Sequence, residues 1–437
     1  DFASFISVLG DNVGGFAHDI HIRGNHMYDS AYPGDGVVMQ RIYINVLDVR
    51  DAWVQRNHLE NGGRIKVGRP GRRIYVTHNI VDTINDNGIV CVNTGAGVGD
   101  LITEDLHIED NIIINPFTSG IHCIVDGQTG TGDLITRRVF IERNIVTGCW
   151  NSIGIHAVLS EQAEDIFIRG NQIILTCTTR LADIGIDVNR QDSATAPSQN
   201  IVVEDNLIEE RNTAVFSVAG LRVSTTGGML NGSIKNNKVP SNTIRLDGGV
   251  VAGGPWTFTR LEVIGNTAQR ITTINNPVFA DLDMHSNNLQ GTSAGNNGII
   301  DLITTSVISG VIRDNRVKQL GAGEGIRIAS DNVTCPNHVV HIFRNTDTPA
   351  MTAVVFAGCA TQAVTASRVW NLGDSFPHVT PVRWLFGSAS LTFDLSGAGI
   401  TCVARTIAVT GATTGTSDGV VPSYPIAALG AGINCTM

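Results

Sequence analysis

The chain has 437 residues, 40 acidic against 30 basic, for a formal net charge of -10. A chain this acidic with no basic stripe is a poor match for nucleic acid, and no apolar run reaches membrane-spanning length. Gly is frequent, at 48 residues, and helical periodicity is nearly absent, which favours a turn-rich all-β chain.

The chain opens on DFASFISVLG, with neither an initiator Met nor a signal peptide, and is in a repeating phrase by Ile20. It therefore reads as part of a longer polypeptide. The phrase is apolar-x-apolar-x-x-Asn. It closes at Asn25, Asn79, Asn111, Asn144, Asn171, Asn206, Asn237, Asn315 and Asn345. Successive intervals from Asn79 to Asn237 are 32, 33, 27, 35 and 31 residues. One unit with loops of variable length, recurring about a dozen times, is the mark of a solenoid.

Before each Asn the apolar residues alternate with period 2, as in Leu106/Ile108 and Ile166/Ile168, so this segment is a strand. About ten residues later comes Gly-apolar-x-apolar, as in GIHCI from Gly120 and GIDVN from Gly185. A third strand is expected near Thr147–Trp150 and Leu175–Thr178. The expected fold is an all-β, right-handed parallel β-helix over residues 1–375, with about twelve coils stacked ~4.8 Å apart into a rod roughly 55–60 Å long. Inward Asn residues form a corner ladder, placed where the backbone turns left-handed. After about Asp374 the chain becomes Thr/Ala/Ser/Gly-rich, and residues 376–437 read as a small, incomplete C-terminal β module that caps the rod.

Eight cysteines are present. Cys91 and Cys123 take equivalent inward positions, as do Cys149 and Cys177, which suggests buried reduced thiols. No CxxC or Cys/His pair has zinc spacing, so neither metal nor cofactor is expected. GAGVGD from Gly95 and GAGEG from Gly321 precede no helix and are poor phosphate cradles. The sequons at Asn231 and Asn434 have no secretory context.

Two outward rows can carry chemistry. The x of Gly-apolar-x-apolar gives Val90, His122, His156, Asp187, Arg222, Arg245, Ile300 and Arg327, with Asp126, Glu161, Arg190 and Asp192 in the loops beyond. Asp126, His156 and Asp187 are the candidate catalytic groups, and His122, Arg190, Arg222 and Arg245 the candidate substrate contacts. Asp126 and Asp187, two coils apart, would stand roughly 9–10 Å from each other, near the ~6.5–9.5 Å of an inverting glycosidase. A lyase would instead use His156 as base and Arg222 and Arg245 to neutralise a uronate. The plain alternative is a solvated face of mixed charge.

The second row, on the strand before the Asn, holds His21, Trp53, Tyr75, His107, Phe140 and Phe167, with Glu142, Arg169 and Glu204 beside them. Glu142 and Glu204 are the alternative catalytic pair. The aromatics suit sugar stacking or, more simply, a subunit interface.

The I-x-I-x-x-N and G-I-x-I phrases over residues 15–375 resemble the pectate-lyase-like superfamily of right-handed β-helices. TIAVTGATTGTSDGVV and YPIAALGAGI near the end resemble segments of bacteriophage tail-fibre and tailspike proteins. That resemblance implies a homotrimeric virion protein, extracellular, that recognises and depolymerises a host surface polysaccharide without entering a membrane. A secreted bacterial polysaccharide lyase or hydrolase and a non-enzymatic adhesin are the alternatives. The paired aspartates and GHG of polygalacturonases are missing, and so is an acidic calcium cluster. IGIDVN lacks the Tyr and His of the YGFDPH signature of alginate epimerases. No catalytic residue carries over from a family.

Overall fold

The computed structural model describes residues 4–372, apart from 11–14, 29–40, residue 62, 83–86, 93–100, 125–133, 160–161, 177–181, 191–196, 212–213, 225–226, 250–255, 293–297, 304–307, 321–323, 330–338, 348–353 and 358–367. The expected C-terminal module lies outside the described residues. Among the described residues there is no helix, and all strand pairs are parallel within one continuous sheet. The protein is a parallel β-helix.

Each coil turns through three faces. In one coil these are Leu101–Glu109, Ile112–Ile114 and Ile121–Ile124. The next coil repeats them as Leu134–Glu142, Ile145–Gly148 and Ile153–Leu159. Every strand pairs in parallel with its equivalent one coil on. The second-face strand follows the Asn directly, a few residues earlier than the third strand expected near Thr147–Trp150.

Period 2 sends alternate residues inward, where like residues stack. One inward column runs Val76, Ile108, Ile141, Ile168, Val203, Ile234, Val263, Met284 and Ile312, all buried. Each such side chain contributes about 1.5–3 kcal/mol on burial, so the stacked columns drive folding. The glycine of Gly-apolar-x-apolar is fixed by close approach. A Cβ on Gly154 would stand 2.5 Å from the Gly185 carbonyl oxygen and 2.6 Å from Ile173 Cγ2.

Among the described residues the Asn ladder has twelve members, Asn57, Asn266 and Asn287 joining the nine of the repeated phrase. In the middle coils each Asn Oδ1 accepts both the backbone N–H and an Nδ2–H of the Asn one coil earlier. For Asn111 and Asn144 these distances are 3.1 and 2.9 Å. The remaining Nδ2 hydrogen goes to a backbone carbonyl, Val76 for Asn111 at 2.8 Å. The left-handed residue is not the Asn itself, as expected from its corner position, but the one before it: His78, Asp110, Arg143, Gly170, Asp205, Asn236 and Asp314 all have φ between 53 and 62°. That residue turns the chain, so the Asn side chain can enter the core and hold the turn.

Among the described cysteines, Cys91 and Cys123 are free and buried, as expected. Cys149 corrects the reduced-thiol expectation: it is disulfide-bonded, and with the other two free its partner lies outside the described residues.

Candidate functional site

The third-face register makes the outward row real. His122 pairs with His156, His156 with Asp187, Asp187 with Arg222, and Arg222 with Arg245. The row continues through Thr272 and Asp301 to Arg327. Ile300 does not belong to it: it is wholly buried and pairs with the inward Ile271. In NGIIDL the two isoleucines Ile299 and Ile300 both follow Gly298, so the outward position shifts by one residue to Asp301. Asp301 escapes the phrase for that reason, although an acidic residue one place along the strand was the available signal, and Thr272 escapes it because its strand, Thr267–Ile274, carries no Gly-apolar-x-apolar phrase.

The centre of the row is a packed polar chain. The rings of His122 and His156 stack with centroids 4.8 Å apart. His156 Nε2 lies 3.5 Å from Asp187 Oδ2. Arg222 grips the same carboxylate with both prongs, Nε to Oδ1 at 2.8 Å and Nη2 to Oδ2 at 2.7 Å. Asp187 has no exposed side-chain surface. Burial pushes its carboxyl up against the opposing pull of Arg222. Burial also lowers His156 to about 4, helped by the Arg222 charge, and lowers His122 to about 3, helped by His156 and Arg64. Both imidazoles are therefore neutral at pH 7. His156 Nε2 is buried and, at 3.5 Å from the carboxylate, makes no hydrogen bond among the described residues.

Further along the rod the row turns cationic. Arg245 is half-buried, and its Nε has no hydrogen-bond partner among the described residues. Burial and the neighbouring Arg222 lower its affinity for a proton. Arg270 Nη2 and Arg327 Nη1 each stand 3.5 Å from an Asp301 oxygen. Asp247, also buried, sits 3.9 Å from Arg222 Nη1. Four arginines thus face three carboxylates, a net positive strip on an acidic protein.

Of the other sequence candidates, Asp126, Glu161 and Asp192 lie outside the described residues, as does the side chain of Arg190, which ends the strand Ile184–Arg190. Glu142 and Glu204 are two coils apart as expected, but Arg169 stands between them, its Nε 2.8 Å from Glu204 and its Nη1 3.9 Å from Glu142. A guanidinium fills the space that water and a glycosidic bond would need. Asp187 and Asp301 are four rungs apart, ~19 Å at the strand spacing, too far to work as a hydrolase pair.

The aromatic row is a continuous six-ring stack. Centroid separations from His21 through Trp53, Tyr75, His107 and Phe140 to Phe167 are 4.5, 5.7, 4.7, 4.6 and 5.1 Å. Arg169 caps it, 4.2 Å over the Phe167 ring. Rings stacked on one another present edges outward and only a partial apolar surface, which weakens the case for face-on sugar stacking.

No protein-family model, curated protein or solved structure matches this chain.

Proposed function

We propose that the protein binds an acidic polysaccharide along the third-face row and cleaves it by β-elimination, as part of a trimeric phage tailspike or tail fibre. The observation that carries this reading is the His156–Asp187–Arg222 chain beside Arg245. A neutral imidazole packed beside a buried carboxylate is free to accept a proton at neutral pH, as a weak base. Arg245, with a dry and unpaired Nε, offers a cation to a uronate carboxylate, whose neutralisation acidifies the adjacent C5 proton. His156 would take that proton, and the glycosidic oxygen at C4 would leave as the C4–C5 double bond forms, picking up a proton from solvent water. In this reading Asp187 is a positioning residue, because its buried carboxylate cannot reach a sugar. A polymer suits a rod whose charged positions repeat coil by coil, since each coil adds a contact. Pure binding without cleavage is the second reading, favoured by the engagement of every described carboxylate of the row in an arginine contact.

Incubation with alginate, polygalacturonate and bacterial capsule tests this. The expected product carries the ultraviolet absorbance of an unsaturated uronate, and His156→Ala lowers its rate by at least ~10²-fold. Binding without product on every acidic polymer supports the second reading. Absence of both binding and product removes the proposal. Light scattering on the full chain is expected to give a trimer, and a monomer counts against the tailspike part alone.

A further inference from the structure

The second face of the rod is mostly isoleucine where it begins: Ile80, Ile112 and Ile145 pair in one outward column. In the first two coils that column changes to His26 and His58, which pair with each other and then with Ile80. Two residues along, Tyr28 pairs with Glu60, and Asp82 occupies the same column one coil later. Both imidazoles converge on one carboxylate oxygen: His26 Nε2 and His58 Nε2 each lie 3.1 Å from Glu60 Oε1. The three candidate ligand atoms all fall within 4.8 Å of one another. Tetrahedral zinc with bonds of ~2.0–2.2 Å separates its ligands by about 3.3–3.5 Å, so the two contacts to Glu60 are already near that distance.

A second observation points the same way. Asp82 Oδ1 is buried and has no hydrogen-bond partner among the described residues. An unpaired buried carboxylate oxygen beside another carboxylate is costly, and a cation would remove both costs.

We propose that His26, His58 and Glu60 form a binding site for a divalent transition metal such as zinc, stapling the first two coils together, with Asp82 in the neighbouring coil adding negative charge beside it. Imidazole donors select zinc, nickel or copper over calcium or magnesium. The two rings stack at 4.9 Å with an interplanar angle of 14°, so each must tilt toward the metal. Ring torsions are broad and two-fold, and both rings have solvent on one side. The site lies on a different face from the His156 row and does not depend on the function proposed above.

Calorimetric titration of the untagged full chain with zinc sulfate tests it, alongside thermal melts with zinc and with calcium. The expected result is one zinc per chain, a Tm raised by zinc but not by calcium, and affinity at least ~10-fold weaker in His26→Ala and in His58→Ala. Asp82→Asn is expected to weaken binding less. His26 is exposed and His58 half-exposed, so both variants are expected to fold, which the thermal melts check. Zinc affinity unchanged in the His26→Ala/His58→Ala double variant, or no stoichiometric zinc in the parent chain, overturns the proposal. An equal response to calcium overturns the imidazole assignment.

Discussion

The inner corner and the outer third-face row are built on the same geometry, equivalent positions repeated one coil apart, and they diverge completely in chemistry. At the corner a single residue type recurs, and each amide makes the same bonds as the last. Along the row the residue changes at nearly every coil, from imidazole to carboxylate to guanidinium. Repetition serves the fold because every coil has the same backbone groups to satisfy. Variation marks the surface on which a coil's identity matters.

The sharpest way to break this comparison is to cut the ladder in the middle. Asn144→Ala strips the partner from Asn111 N and Nδ2 and from the Ile108 carbonyl. At ~1–3 kcal/mol per buried orphan, three orphans put the loss at about 3–9 kcal/mol in denaturant unfolding. Asn25→Ala, at the half-exposed first rung, is expected to cost less than ~1 kcal/mol. Equal losses at the two positions would show that burial of a rung does not set what it contributes.

In the outer row, Arg222→Ala leaves Asp187 buried without its partner and is expected to cost about 3–5 kcal/mol at pH 7. The loss should shrink in acid, where Asp187 can take up a proton. Asp187→Asn keeps the shape and should fold, while any cleavage activity drops. Wild-type activity in Asp187→Asn would remove it from the site.

Acid alone gives a smaller effect. Both row histidines hold a proton less readily folded than unfolded: the reference near 6.5 falls to about 4 for His156 and about 3 for His122. The unfolded chain therefore binds more protons below pH ~6.5, and stability present above that pH is lost as it falls toward 4. For His156 the full window is worth at most about 3 kcal/mol. Unfolding at pH 7 and pH 5 should show part of this loss, and His122→Gln/His156→Gln should flatten it. An unchanged pH slope in that variant would place the titration elsewhere.

The smallest change belongs to the first-face ion pairs. Arg143 touches Glu109, Asp110 and Glu142 at 2.8–2.9 Å, yet half its side chain is in solvent. Arg143→Ala is expected to cost ~0.2–1 kcal/mol and to matter less at high salt.

The same contrast explains what could be read before the structure. The ladder was legible because one residue type at one kind of corner repeats in the chain. Its exact backbone role was not, since the turn is made by the preceding residue, whose identity varies from His78 to Asp110 to Arg143. The row from His122 to Arg245 was legible because Gly-apolar-x-apolar sets its phase, and it failed where Ile299 and Ile300 hid that phase. Burial of Asp187 was not legible at all, since an outward position ordinarily meets solvent and only the Arg222 fork and its surroundings cover it. The His26–Glu60 cluster escaped because His26 lies 34 residues before Glu60, far outside the local spacing by which metal motifs are recognised, and His58 with Glu60 alone is too small a signal.

The direction of the amide bonds carries a last consequence. Each Asn donates to the Asn of the coil that follows it in the chain, so a coil's donors stay open until its successor arrives. A ribosome delivers coils in that same order. Every newly emerged turn closes the one before it, and assembly can advance vectorially, like a ratchet whose only unfinished tooth is the newest.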